Sequence, residues 1–131
     1  MKIKYAILSV CLITFLALFL KPAFAEDVGI DKVQCYQEKD DSYTVIVSYR
    51  TSEKWTDGIK FTLKCVFRDE EIIFKYPHGK FINIAGGDHR EEVVIDSNYK
   101  KRYGPLKTVS VSIYKDNQLM DTGDCSLIRR R

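Results

Sequence analysis

Three stretches of this sequence alternate apolar and polar side chains with a period of two. Tyr43, Val45, Val47 and Tyr49 interleave with Thr44 and Ser48; Phe61, Leu63 and Cys65 interleave with Lys60, Thr62 and Lys64; Val109, Val111 and Ile113 interleave with Thr108, Ser110 and Ser112. Successive side chains of a strand point to opposite faces, so each stretch predicts a strand with one buried and one wet face. Shorter candidates are Ile30–Tyr36, Glu71–Tyr76, Arg90–Ile95 and Gln118–Ile128, the last weakened around Asp121-Thr122-Gly123-Asp124 where a bulge would fit.

Between them lie residues that bond their own backbone or tolerate positive φ: Lys39-Asp40-Asp41-Ser42, Thr56-Asp57-Gly58, Arg68-Asp69-Glu70 and Asp116-Asn117. Gly86-Gly87-Asp88 and Tyr103-Gly104-Pro105 mark longer connections. No stretch of useful length shows an amphipathic helical face. The spacing gives about seven strands over roughly 100 residues, the pattern of an all-β, immunoglobulin-like antiparallel β-sandwich. The cysteine–tryptophan–cysteine spacing of antibody domains is absent, because Trp55 precedes the second long strand. By position, Tyr99 or Tyr103 would supply a tyrosine corner.

The first 25 residues read as a cleaved signal peptide. Lys2 and Lys4 precede a 16-residue run from Tyr5 to Leu20, and Ala23-Phe24-Ala25 offers the small residues of a cleavage site before Glu26 and Asp27. The run falls short of the ~20 residues that cross a bilayer. Residues 26–131 are then a single secreted or periplasmic domain. Lys2, Lys4 and Lys21 are three of 21 basic residues, so the remaining 18 balance all 18 acidic ones. A neutral domain is no general nucleic-acid binder, since phosphate neutralisation by many cations supplies most of that affinity.

Export puts Cys35, Cys65 and Cys125 in an oxidising compartment, where two would pair. A Cys35–Cys125 bridge closes the largest loop and removes the most denatured-state entropy, ~4–5 kcal/mol before strain. Cys65, in register with Phe61, Leu63 and Phe67, reads as a small core residue.

Chemistry-bearing patterns are sparse. His78 and His89 stand 11 positions apart with Asp88 between them, which is no known metal-ligand spacing. Tandem acids at Asp69-Glu70-Glu71 and Glu91-Glu92 read as solvated strand ends. No nucleophile elbow, phosphate loop or catalytic carboxylate pair occurs, and no cofactor is expected. Two surface features remain. Tyr99-Lys100-Lys101-Arg102-Tyr103 sets three cations between two rings, suited to an acidic protein or an anionic surface ligand. Trp55, in a turn beside Lys54 and Asp57, suits an interface anchor. Arg129-Arg130-Arg131 reads as a frayed end. The expected function is therefore a non-enzymatic binding module. An inhibitor of an extracytoplasmic enzyme such as a lysozyme is the alternative, and an enzyme or metal protein that joins His78 and His89 is the third.

Overall fold

The computed structural model describes residues 27–131; the signal-peptide expectation concerns residues outside that range. The chain order is β1 (Val28–Gln37), β2 (Tyr43–Phe67), β3 (Glu71–Tyr76), β4 (Ile82–Ile95), helix α1 (Ser97–Tyr103), β5 (Leu106–Lys115), β6 (Gln118–Cys125) and β7 (Ile128–Arg130). The protein is nearly all-β, with the number of strands that the alternation predicts.

Their arrangement differs from the expected one in a single decisive element. The strands expected around Tyr43–Tyr49 and Ile59–Cys65 are the two halves of one 25-residue strand, β2. Thr56-Asp57-Gly58 does not reverse the chain. It makes an irregularity in which the register against β4 shifts between Thr56 and Ile59, with Gly58 at φ 74°. An extra residue accommodated this way bends a strand without ending it. The first half of β2 pairs with β1 and β4, and the second half with β3 and β5. β6 lies beside β5, and β7 runs parallel to β1.

The rings of Tyr43 and Phe67, at opposite ends of β2, sit 6.5 Å apart. The long strand therefore doubles back, and its midpoint, Trp55, lies at the opposite pole of the molecule. An immunoglobulin domain joins two separate sheets; here all seven strands belong to one sheet, because β2 contributes to both halves.

The fold-over buries the period-two stripe. Val45, Val47 and Tyr49 from the first half share one core with Phe61, Leu63 and Cys65 from the second, joined by Val109, Val111 and Ile113 of β5. Each large apolar side chain withdrawn from water contributes about 1.5–3 kcal/mol. The far edges close through Gly123 of β6, where a Cβ would stand 2.9 Å from Ile30 Cγ2 and 3.2 Å from Val33 Cγ2 of β1. Thr56, 1% exposed, carries a hydroxyl with no hydrogen-bond partner. A buried unpaired hydroxyl is costly, so Thr56→Val is expected to stabilise the domain by about 1–2 kcal/mol in urea denaturation. An unchanged midpoint would show that the hydroxyl finds a partner in solution.

Candidate functional site

The ends of β1, β2 and β4 meet at the pole marked by Tyr43 and Phe67, where Tyr43 pairs with both Gln37 and Ile95. Two short connections and β7 build the surface there. The β1–β2 turn is self-bonded: the Glu38 amide donates to the Ser42 carbonyl (2.8 Å), and the Ser42 amide and hydroxyl both donate to Asp40 Oδ1 (3.0 and 2.6 Å). These bonds hold the Asp40 carboxyl below its ordinary pKa.

The segment after β4, expected as a loop, is helix α1. Asp96 caps it by accepting the Asn98 amide at 2.9 Å, and Gly104 ends it at φ 84°, its amide donating to the Lys100 carbonyl (2.8 Å). Lys100, Lys101 and Arg102 occupy the last turn, where cations meet the negative end of the helix dipole. That placement supplies a local reason for three consecutive charges.

The helix separates the roles of the segment Tyr99–Tyr103. Its two rings are structural: Tyr99 lies 5.0 Å edge-on to Phe74 and 6.2 Å from Phe67, and Tyr103 lies 6.2 Å from Phe67. Neither ring makes the corner contact expected from position; the tyrosine hydroxyl bonded to backbone here is Tyr43's, which accepts the amide of Leu106, 63 positions away, at 3.1 Å. The cations are left at the surface. Lys100 Nζ donates to Asp41 Oδ1 (2.9 Å), which also accepts from Gln37 Nε2 (3.2 Å). The Lys100 ammonium foremost, with Lys101 beyond it, holds the Asp41 carboxyl below its ordinary range.

Arg129-Arg130-Arg131 is not a frayed end. Cys35, Tyr36 and Gln37 pair with Ile128, Arg129 and Arg130. The Arg131 amide donates to the Gln37 carbonyl (3.0 Å) and its Nε to Glu38 Oε1 (2.7 Å), while its guanidinium lies 4.3 Å from the Tyr36 ring centre. A groove of about 340 Å³ runs between Gln37, Glu38, Lys39, Asp41, Arg130 and Arg131. Another of about 400 Å³ follows α1 past Asp96, Asn98, Tyr99, Arg102 and Tyr103. Through Asp41 the two cation runs become one basic pole. With the β2–β3 turn, whose Asp69 amide donates to the Tyr103 carbonyl, it holds nine basic residues (Lys39, Arg68, Lys100, Lys101, Arg102, Lys107 and Arg129 to Arg131) against six acidic ones (Glu38, Asp40, Asp41, Asp69, Glu70 and Asp96). In sequence, Lys39 and the arginines give no sign of this convergence; the one available signal is the apolar pair Leu127-Ile128 just before them.

Trp55 does not join this pole. Its ring is exposed, its Nε1 donates to Asp57 Oδ1 (2.6 Å), and it pairs across the sheet with Ala85. The histidines occupy different settings. His78 is exposed between β3 and β4, whereas His89 sits in β4, 5.2 Å from the Tyr49 ring and 3.1 Å from Thr51 Oγ1. Among the described residues, no three side chains of ligating type come together as a metal site, and no helix is long and apolar enough to cross a membrane.

Among the described residues Cys35, Cys65 and Cys125 are free thiols, all buried. Cys65 pairs with Val109, which pairs with Cys125, so two strand spacings, about 10 Å, separate them. That exceeds the reach of a disulfide. Burial pushes the Cys65 thiol up to about 12. Cys35 is raised further, first by burial and then by hydrogen bonding with Cys125.

The sequence matches no protein-family model and no curated protein. Among solved structures, an alkylpurine DNA glycosylase of Pseudomonas fluorescens bound to DNA with an abasic-site analog aligns with 81% of this chain and 31% of its own, at 11% identity and TM-score 0.46. A β-glucosidase of Listeria innocua in complex with gluconolactone aligns with 78% and 16%, at 12% identity and TM-score 0.42. A GH3 β-glucosidase of Bifidobacterium adolescentis aligns with 76% and 17%, at 11% identity and TM-score 0.41. This chain thus spans less than a third of the length of each, and likenesses of this strength bear on neither its family nor its function.

Proposed function

We propose that this chain is an exported, non-enzymatic binding module whose basic pole receives an acidic protein partner. One observation carries the reading. A domain that is neutral beyond residue 25 gathers nine cations and six anions at one end, and backbone pairing and the Arg131–Glu38 ion pair hold the arginine run there. Mixed charge with grooves between suits a protein surface of complementary pattern, because alternating donors and acceptors select register as well as sign. Export is supported by the basic start, apolar run and Ala23-Phe24-Ala25 of the N-terminus. In an oxidising compartment Cys35–Cys125 is the proposed bridge, since these two thiols hydrogen-bond each other and Cys65 lies out of reach of Cys125.

The test is capture from an envelope extract by the mature domain. Wild type is expected to retain a protein that elutes with salt. Lys100→Glu combined with Lys101→Glu and Arg131→Glu should lose it, and Trp55→Ala at the opposite pole should keep it. Loss through Trp55→Ala with retention by the charge-reversed variant would overturn the assignment. The charge variant should stay folded but lose about 1–3 kcal/mol, because Lys100 and Arg131 give up ion pairs with Asp41 and Glu38 and two acids replace cations at the helix C-terminus.

A further inference from the structure

We propose that Cys35 and Cys125 form a thiol–disulfide exchange site that governs how firmly the arginine strand β7 is held, and through it the affinity of the basic pole; the second half of this rests on the binding reading above. Both cysteines line one surface cleft of about 220 Å³, together with Gln34, Asp124, Leu127 and Arg129. Cys125 is 7% exposed, Cys35 lies beneath it at 1%, and Cys65 is not among the residues lining the cleft. An exchange partner in this cleft meets the pair and not the third cysteine.

The position of the pair gives the bond its consequence. Cys35 is the β1 residue against which β7 begins, because it pairs with Ile128. Cys125 ends β6, and two residues separate it from the start of that strand. A bridge would tie the chain entering β7 to the residue on which β7 docks, leaving only Ser126 and Leu127 in the closed connection. In the thiol form the Cys125 Sγ–H donates to the Leu127 carbonyl at 3.3 Å, a weak restraint. β7 has three residues and pairs with β1 alone, and short edge elements of this kind open well below the global unfolding free energy. Shortening the free connection removes conformations from the opened state, as any cross-link does.

The chemistry balances with a disulfide as co-reactant. The Cys125 thiolate attacks a sulfur of the incoming disulfide, forming a mixed disulfide and releasing one thiol. Cys35 then attacks Cys125 Sγ and releases the second. The pair loses two electrons and two protons, and the incoming disulfide is reduced to two thiols. Burial disfavours the Cys35 thiolate, so its attack on the mixed disulfide is the slow step.

The experiment compares the mature domain held in dithiothreitol with the domain oxidised by glutathione disulfide. Intact mass should show the loss of two hydrogens, and peptide mapping should show Cys35 joined to Cys125. Hydrogen exchange in the peptide from Ser126 to Arg131 should slow roughly ten-fold on oxidation, and binding of a polyglutamate probe should tighten several-fold. Cys35→Ser and Cys125→Ser should behave as the reduced form in both conditions, whereas Cys65→Ala should keep the difference. Free thiols after oxidation, equal exchange in both forms, or equal probe affinity would each overturn the proposal. Absence of probe binding by either form, with the exchange difference intact, overturns the binding reading instead and leaves the redox site standing.

Discussion

Replacing Tyr43 with alanine is expected to destabilise the domain by about 3–5 kcal/mol, the range for deleting a large buried ring. Tyr43 is 0% exposed and heads the first half of β2. Its ring meets Phe67 edge-on, which is the contact that brings the two ends of the strand together. Its hydroxyl accepts the amide of Leu106, the first residue of β5. Truncation therefore opens a cavity at the fold-over and also leaves a buried N–H without a partner. Tyr43→Phe separates the two effects, since it keeps the ring and should cost about 1–2 kcal/mol. Total stabilities of 5–15 kcal/mol are usual, so the alanine variant should be visibly close to unfolding in a denaturant titration. Equal losses for both variants would mean that the hydrogen bond, and not the packing, carries the contribution of Tyr43.

Gly86→Ala is the second large effect, at about 1–3 kcal/mol, and its cause is crowding by rigid atoms. A Cβ at Gly86 would overlap the backbone carbonyl of Glu53 on the neighbouring strand. A flexible side chain could swing away; a backbone carbonyl inside a paired strand cannot. Relief would have to come from separating β4 from β2 where their register shifts between Thr51 and Trp55. Hydrogen exchange along 82–88 should therefore rise together with the loss in denaturation midpoint. A variant with the wild-type midpoint and exchange would show that the two strands are held less closely than this.

The same glycine shows where sequence reading reaches its limit. Alternation depends only on which side of a strand a residue faces, so Glu71–Tyr76 appears as β3 with the expected bounds, and the stripes of Tyr43–Tyr49 and Ile59–Cys65 face the core. Glycine is ambiguous: a turn needs its conformational freedom, and a close strand crossing needs its missing Cβ. Gly86 serves the crossing and Gly58 a bend, so two expected connections lie inside strands and β2 stays continuous. Tyr99 and Tyr103 were legible as rings beside cations, but only the helix shows that the rings pack inward while the cations stay out. The arginines of β7 were illegible for another reason. A three-residue parallel strand has no pattern of its own, and its partner, Cys35–Gln37, is some 90 residues distant along the chain. Local signals therefore found half of the basic pole, and the half assembled by long-range pairing was visible only in the fold.

Binding of a polyglutamate peptide to residues 26–131, followed by fluorescence anisotropy across ionic strength, tests the basic pole most directly. Wild type should bind, and its affinity should fall about ten-fold from low to physiological salt as the exposed charges are screened. The variant combining Lys100→Glu, Lys101→Glu and Arg131→Glu should show neither the binding nor the salt dependence. Equal affinity and equal salt dependence for the two proteins would contradict the account.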